Sequence, residues 1–212
     1  MKKIIIIFAC ATAIVSAKAQ SAKYTEFMKK NIATLDSVNT PDELQNVANN
    51  FDRIANAEKT QWQPFYYEAY ALVRKCYVTK DPKAIDANCD KAEELLASAE
   101  SLATNNSEIS TIHGMIFQTR MQVDQSRYMT MGPKSTQALQ KAIAQDTANP
   151  RPLIMLAQNL YYTPAAFGGS KEKAIAMLKK AIADYDTFKP ATELDPTWGK
   201  EYAVSVLGQW NK

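Results

Sequence analysis

The sequence is poor in the residues that build metal and catalytic sites. Its 212 residues include one histidine, His113, and three cysteines, Cys10, Cys76 and Cys89. They form no Cys-x-x-Cys motif and leave no second histidine, so the spacing typical of a zinc site is missing. Serines and aspartates are common, but none stands at a defined spacing from a base, as a triad would require. The sequence therefore predicts no metal, no cofactor and no enzymatic activity.

Long apolar runs are also scarce. The longest, residues 4–15, is shorter than the stretch of about 20 residues that spans a bilayer. It follows Lys2-Lys3 and precedes Ala17-Lys18-Ala19, the order typical of a secretory signal peptide. We predict a signal peptide over residues 1–19, a single domain over residues 20–212, and a periplasmic or secreted protein without a membrane span. Cys10 leaves open a lipoprotein anchored through that cysteine.

Without the predicted signal peptide, the sequence has no net charge. The chain has 25 Lys and Arg against 22 Asp and Glu, and the excess of three equals the lysines of residues 1–19. A balanced chain offers no electrostatic reason to bind nucleic acid or an anionic membrane. We therefore predict neither as a partner.

Two cysteines remain after residue 19, Cys76 and Cys89. Asp81-Pro82 lies between them and predicts a turn between two helices, which would bring the cysteines close together. An oxidising compartment favours a disulfide, and the alternative is two buried free thiols.

The remaining sequence has the periodicity of helices, with apolar residues three and four apart. Thr40-Pro41-Asp42-Glu43 has the pattern of a capping box, and Ser170 is a candidate N-cap. The segment around Tyr128 to Pro133 is predicted to be a long connection.

The helices repeat a pattern. Three of them place a small residue, then Leu four positions on, then Ala three further on: Ala92/Leu96/Ala99, Ser135/Leu139/Ala142 and Ala174/Leu178/Ala181. The helices before them carry a small residue at Ala69, Gly114 and Ala157. Small residues allow two helices to cross closely, so the pattern predicts about four stacked antiparallel hairpins and a short C-terminal helix between Trp198 and Trp210.

This pattern resembles the tetratricopeptide repeat (TPR) over most of residues 40–185. The resemblance implies an all-α array of hairpins in a right-handed superhelix. Motifs in the second half are similar to those of exported TPR-like proteins of Gram-negative bacteria and, more weakly, to repeat subunits that accompany periplasmic solute transporters. These motifs are Asn149-Pro150-Arg151, Tyr162-Thr163-Pro164, Phe167-Gly168-Gly169, Lys171-Glu172-Lys173-Ala174 and Trp198-Gly199-Lys200-Glu201.

The TPR register implies a set of residues lining a concave groove. Tyrosines with Arg and Gln are typical of recognition surfaces, although the same tyrosines could pack in the core. The groove set is Tyr66, Tyr70, Arg74, Thr111, Met115, Gln118, Arg151, Gln158, Tyr161 and Tyr162.

The sequence supports two functions. The main prediction is an interaction module that binds a peptide or partner protein in the groove. The alternative is a small-molecule binding protein accessory to a transporter, with its ligand near Tyr128 and Phe167. A closed apolar pocket ringed by Arg120, Arg127 and Tyr162 would favour this alternative. The sequence leaves the oligomeric state open.

Overall fold

The computed structural model describes residues 22–212, and this part of the chain is helical with no strand, which confirms the all-α prediction. The predicted signal peptide, residues 1–19, lies outside the described residues. No helix between residues 22 and 212 is long and apolar enough to cross a membrane. The helices are α1 (22–37), α2 (Pro41–Ala57), α3 (Gln63–Val78), α4 (Pro82–Leu102), α5 (Ser107–Val123), α6 (Tyr128–Gln145), α7 (Arg151–Tyr162), α8 (Lys171–Asp184) and α9 (Lys200–Trp210).

The two predicted N-cap residues, Thr40 and Ser170, lie at the starts of their helices as expected. Thr40 and Glu43 form a reciprocal capping box at the start of α2, with the Thr40 amide donating to the Glu43 carboxylate at 3.2 Å. The Ser170 hydroxyl accepts from the Lys173 amide at the start of α8. These bonds satisfy backbone amides that a helix N-terminus leaves free.

The helices are arranged in two layers. Neighbours in sequence pack on each other, as in the pairs α3/α4, α5/α6 and α7/α8, and α9 packs on α8. Helix α5 also contacts both α3 and α7 directly, so these three helices form one layer, with α4, α6 and α8 as the other. The hairpins thus stack along the molecule and present the α3/α5/α7 layer on one side.

The repeated small and leucine positions form the contacts between the layers. All nine residues of the three repeats, Ala92, Leu96, Ala99, Ser135, Leu139, Ala142, Ala174, Leu178 and Ala181, are fully buried. Gly114 shows why small residues recur, since a Cβ there would lie 2.5 Å from Leu139 Cδ2. The two helices could not approach this closely with a larger residue at that position.

The predicted connection from Tyr128 to Pro133 is wrong, because α6 begins at Tyr128 and carries Pro133 inside it. A short 3₁₀ helix, Gln125–Arg127, leads directly into α6. Proline removes one backbone bond to the carbonyl four residues earlier, that of Met129. Met129 is exposed, so water can satisfy that carbonyl and the helix continues.

Cys76 and Cys89 lie side by side on α3 and α4 as two buried free thiols. The Cys76 thiol donates to the Ile85 carbonyl oxygen at 3.7 Å, and a hydrogen bond with Cys89 lowers its pKa. The predicted disulfide is therefore not formed here. The hairpin does bring the two sulfur atoms together, so pairing under oxidising conditions stays a prediction.

Candidate functional site

A cavity of about 640 Å³ opens on the exposed face of the α3/α5/α7 layer. We call it the central cavity. The end of α1, the helices α3, α5 and α7, and the start of α9 all contribute to it. Its lining residues are Asp36, Asn39, Tyr70, Arg74, Tyr77, Met115, Met155, Thr197, Trp198, Gly199, Lys200, Glu201 and Tyr202.

Trp198 is held in the cavity wall from two directions. Its ring stacks on Tyr70 with centroids 4.6 Å apart and an interplanar angle of 16°. Its Nε1–H donates to the Tyr66 hydroxyl at 2.9 Å. Gly199 follows with φ 120°, and a Cβ there would collide with the Tyr185 hydroxyl. The glycine therefore lets the chain turn from the indole into α9.

Two more aromatic rings line the cavity and remain open to solvent. Tyr77, at the end of α3, is 43% exposed, and Tyr202, on the first turn of α9, is 48% exposed. Gln158 on α7 donates to the Tyr202 hydroxyl and so links α9 to α7. Large aromatic faces that stay half-exposed are available to a flat apolar ligand.

Two buried methionines, Met115 on α5 and Met155 on α7, contribute apolar surface to the cavity. The amide of Gln118 fixes the two helices in register, since its Nε2 donates to the Met155 carbonyl at 2.8 Å and to Asn159 Oδ1 at 2.9 Å. The cavity thus combines flexible thioether side chains with a well-bonded backbone.

Both signs of charge occur around the cavity. The Arg74 guanidinium donates to the Leu35 carbonyl and, at 2.9 Å, to the Val38 carbonyl, which places it at the C-terminal end of α1. Lys200 pairs with Asp186 at 2.6 Å. Asp36 and Glu201 supply the negative charges.

Residues 192–198, which we call the C-terminal strap, lie against the α3/α7 side of the layer. Tyr67 on α3 donates to the Leu194 carbonyl at 3.0 Å, and Gln63 donates to Asp195 at 3.2 Å. Arg151 on α7 donates to the Pro196 carbonyl. The strap thereby covers part of the predicted groove and supplies Thr197 and Trp198 to the cavity wall.

Arg151 is the central anchor of the strap and is fully buried. It pairs with Glu108 at 2.8 Å, and its guanidinium carbon lies 4.9 Å from the Phe188 ring centroid and 5.5 Å from that of Trp198. Burial raises the pKa of Glu108 to about 7, and the charge of Arg151 opposes that rise. A buried cation therefore rests between one carboxylate and aromatic rings.

The predicted groove residues fall into separate environments. Tyr70, Arg74 and Met115 line the central cavity. The others lie in the core, under the strap, or along α7 toward α9: Tyr66, Thr111, Gln118 and Arg151 are buried, Gln158 bonds Tyr202, Tyr161 stacks on Trp210 at 4.0 Å, and Tyr162 is exposed beside it. A role of these ten groove residues in binding stays a prediction.

The groove set omitted Tyr77, Met155 and all cavity residues between Thr197 and Tyr202. The motif Trp198-Gly199-Lys200-Glu201 was a visible signal, but sequence spacing gave no reason to place it opposite α3. Its position follows from the strap contacts with Tyr67 and Arg151.

A cavity of about 430 Å³ lies where the alternative function placed its ligand, beside Tyr128 and Phe167. Arg120 and Arg127 do not line it, because they pair with acidic residues of α4. No charged side chain is among its lining residues. His113 lines neither of these two cavities, and its Nε2 lies 3.6 Å from Glu100 Oε1 on α4. Within residues 22–212, no group of three His, Cys, Asp or Glu side chains forms a metal site.

No protein-family model and no curated protein matches the chain. Among solved structures, the chain is similar to the HusA haemophore from Porphyromonas gingivalis, with a TM-score of 0.80 and 36% sequence identity. The similarity covers 88% of this chain and 92% of that one. It therefore extends over the whole helical array rather than one hairpin.

Proposed function

This chain belongs to the family of the HusA haemophore, and on that premise we propose that it is a non-enzymatic binding protein for haem. The observation that carries the proposal is the likeness, over nearly the full length of both chains, to a protein described as a haemophore. Of the two functions predicted from the sequence, this favours the small-molecule alternative. Export through the predicted signal peptide is part of the proposal.

We place the haem in the central cavity. Its volume of about 640 Å³ lies within the range of about 300–1,000 Å³ common for sites that bury small ligands. The cavity beside Tyr128 is smaller and has no cation among its lining residues to meet the two haem propionates.

Aromatic contact would supply much of the binding energy. A porphyrin is flat and apolar, and the half-exposed rings of Tyr77 and Tyr202 offer faces of matching character. Trp198 is already oriented by Tyr70 and Tyr66, so little conformational freedom is lost when a ligand stacks on this wall. Met115 and Met155 would adapt to the edge of the ring.

The cations of the cavity would orient the ligand. Arg74 is held in place by two carbonyl groups and retains N–H groups that can meet a propionate. Lys200 can exchange its exposed partner Asp186 for the second propionate. Asp36 and Glu201 offset the charges of these two cations. We therefore expect Arg74 and Lys200 to orient the haem rather than to supply most of its affinity.

The cavity lining contains no histidine and no cysteine. Side chains in the lining of types that can bind a haem iron are the tyrosines Tyr70, Tyr77 and Tyr202 and the methionines Met115 and Met155. We therefore expect the aromatic rings of the cavity to recognise the porphyrin, and Arg74 and Lys200 to recognise its carboxylates, whether or not the metal is present.

The first prediction tests this site by titration with haem, followed by the Soret band and by quenching of tryptophan emission. The native protein should bind one haem per chain. The double variant Tyr77→Ala/Tyr202→Ala should bind about tenfold more weakly, because it loses two aromatic contacts worth about 0.5–1.5 kcal/mol each.

Tyr162→Ala is the matched control, since Tyr162 is exposed but lies outside the central cavity. It should bind haem as the native protein does. Metal-free protoporphyrin should follow the same order of affinities. Absence of haem binding would refute the function, whereas equal binding by the double variant and the native protein would place the haem elsewhere.

The predicted groove offers a peptide less free surface than the sequence indicates, because the strap already covers Tyr66 and Arg151. We propose that the stacked hairpins follow the TPR-like superhelix implied by the sequence resemblance, supported by the direct packing of α3, α5 and α7. In that arrangement the strap fills one part of the concave face and leaves the central cavity for a small ligand.

A further inference from the structure

The helices α1 and α2 enclose an open cavity of about 760 Å³, distinct in its lining residues from the central cavity. We call it the α1–α2 trough. Its residues recur three and four apart on both helices, so one stripe from each helix faces it. They are Lys23, Tyr24, Phe27, Lys30, Asn31, Asn50, Arg53, Ile54, Ala57 and Glu58.

The trough is mainly apolar. Tyr24 and Phe27 on α1 face Ile54 and Ala57 on α2, and Phe27 is 53% exposed. An exposed phenylalanine within a connected apolar surface is costly in water, so such a surface usually meets a ligand or partner. The two asparagine side chains that line the trough bond to each other, with Asn50 donating to Asn31 at 3.0 Å. They therefore do not need a polar ligand.

Cations dominate the edges of this apolar surface. Lys23, Lys30 and Arg53 line the trough against a single acid, Glu58. Within residues 22–212, neither Lys23 nor Lys30 has an ion-pair partner, and Arg53 donates only to the neutral Asn50 amide at 3.1 Å. An occupant that satisfies this pattern has an apolar body and an anionic group.

We infer that the α1–α2 trough binds a long-chain carboxylate, with its alkyl chain along Phe27 and Ile54 and its carboxylate among Lys23, Lys30 and Arg53. The lining residues extend over about two helical turns on each helix, so the trough is elongated and suits a narrow flexible chain better than a compact ligand. A carboxylate meets several donors at once, and each such bond is stronger than one between neutral groups. The trough shares no lining residue with the central cavity, so this inference does not rest on the haem proposal.

The second prediction is measured by calorimetry with laurate and with dodecanol, which has the same chain length without charge. The native protein should bind one laurate per chain, and more tightly than dodecanol. The variant Lys23→Gln/Lys30→Gln/Arg53→Gln should bind laurate about tenfold more weakly and dodecanol unchanged, because only the ion pairs are lost. Phe27→Ala should weaken both ligands.

The charge-matched control is Lys83→Gln/Lys173→Gln/Lys179→Gln, which removes three exposed lysines away from the trough. It should bind laurate normally, as should Tyr77→Ala/Tyr202→Ala and the protein saturated with haem. No laurate binding at millimolar concentration would overturn the inference. Displacement of laurate by haem would also overturn it, as would a loss of laurate affinity in the lysine control equal to that in the trough variant. Binding to phosphatidylglycerol vesicles without binding to free laurate would overturn it too, and would assign the trough to a membrane surface.

Discussion

The side chain of Glu68 places an ionisable carboxyl group inside the helical core. Glu68 is 5% exposed, and within residues 22–212 its Oε2 atom has no hydrogen-bond partner. Burial and then the charge of Asp52 raise the pKa of Glu68 to about 7, while Lys91 opposes the rise. The folded protein thus retains this proton at a pH where the unfolded chain has lost it. The contribution of Glu68 to stability is therefore largest below the ordinary glutamate range and is lost as the pH rises toward 7.

The third prediction concerns Glu68→Gln, which keeps the shape and removes the titration. The free energy of unfolding of this variant should exceed that of the native protein by about 1–3 kcal/mol at pH 8, because a buried unpaired carboxylate has been removed. The difference should shrink toward pH 5. Urea denaturation at both pH values measures it, with exposed Glu94→Gln as control. A difference that does not change with pH would contradict this account.

Single residues also show what the sequence could predict. Thr40, Ser170 and the repeated alanines act through their own helix or the next one, so spacing was enough to assign them. Phe27 and Tyr66 have equally regular spacing, yet one is exposed and the other is buried under the strap. Their environments depend on elements distant in sequence, which periodicity does not describe.

At the scale of the helices, close crossings organise the hairpins. The α5/α6 pair meets at Gly114 and Leu139, where the backbone of one helix touches the side chain of the other. The sequence predicted this crossing from its small residues. It did not predict the first turns of α6, since Gly132-Pro133 normally indicates a loop. Because Met129 is exposed, water can satisfy the carbonyl that Pro133 leaves free, and the helix can contain both residues.

The fourth prediction compares two glycine replacements. Gly114→Ala should lower the free energy of unfolding by about 1–3 kcal/mol, because the new methyl group would overlap buried Leu139. Gly208→Ala on α9 has no atom within 4 Å of the added Cβ and should raise stability by about 0.5–1 kcal/mol through helix propensity. Thermal or urea unfolding measures both. A Gly114→Ala variant as stable as the native protein, or more stable, would refute the close crossing.

At the scale of the molecule, Arg151 connects the strap, α5 and α7 to one wall of the central cavity. Its pairing with Glu108 and its bond to Pro196 join segments that the repeat pattern treats as separate. The sequence identified the stacked hairpins because their contacts are between neighbours. It could not identify the cavity, which requires residues 192–202 to return to α3.

The fifth prediction is that Arg151→Met destabilises the protein by about 3–5 kcal/mol, because Glu108 is left buried without its counter-charge. The same variant should weaken haem binding under conditions where it remains folded, since the strap carries Trp198. Adding Glu108→Gln should recover part of the lost stability. Arg53→Met, which changes an exposed arginine, should have little effect on stability or haem affinity. Unchanged haem affinity in folded Arg151→Met would show that haem binding does not depend on the anchoring of the strap by Arg151.

In a chain exported as we propose, the strap also sets the order in which the fold is completed as the chain emerges N-terminus first from the export channel. Tyr67 and Leu194 are 127 positions apart, and Gln63 and Asp195 are 132 apart. The hairpins can form as each pair of helices emerges, because their contacts are local. The wall of the central cavity can form only once residues 192–202 have emerged. A partly exported chain can therefore be largely helical and still lack this cavity, so the proposed capture of haem would begin only after this segment has crossed the membrane.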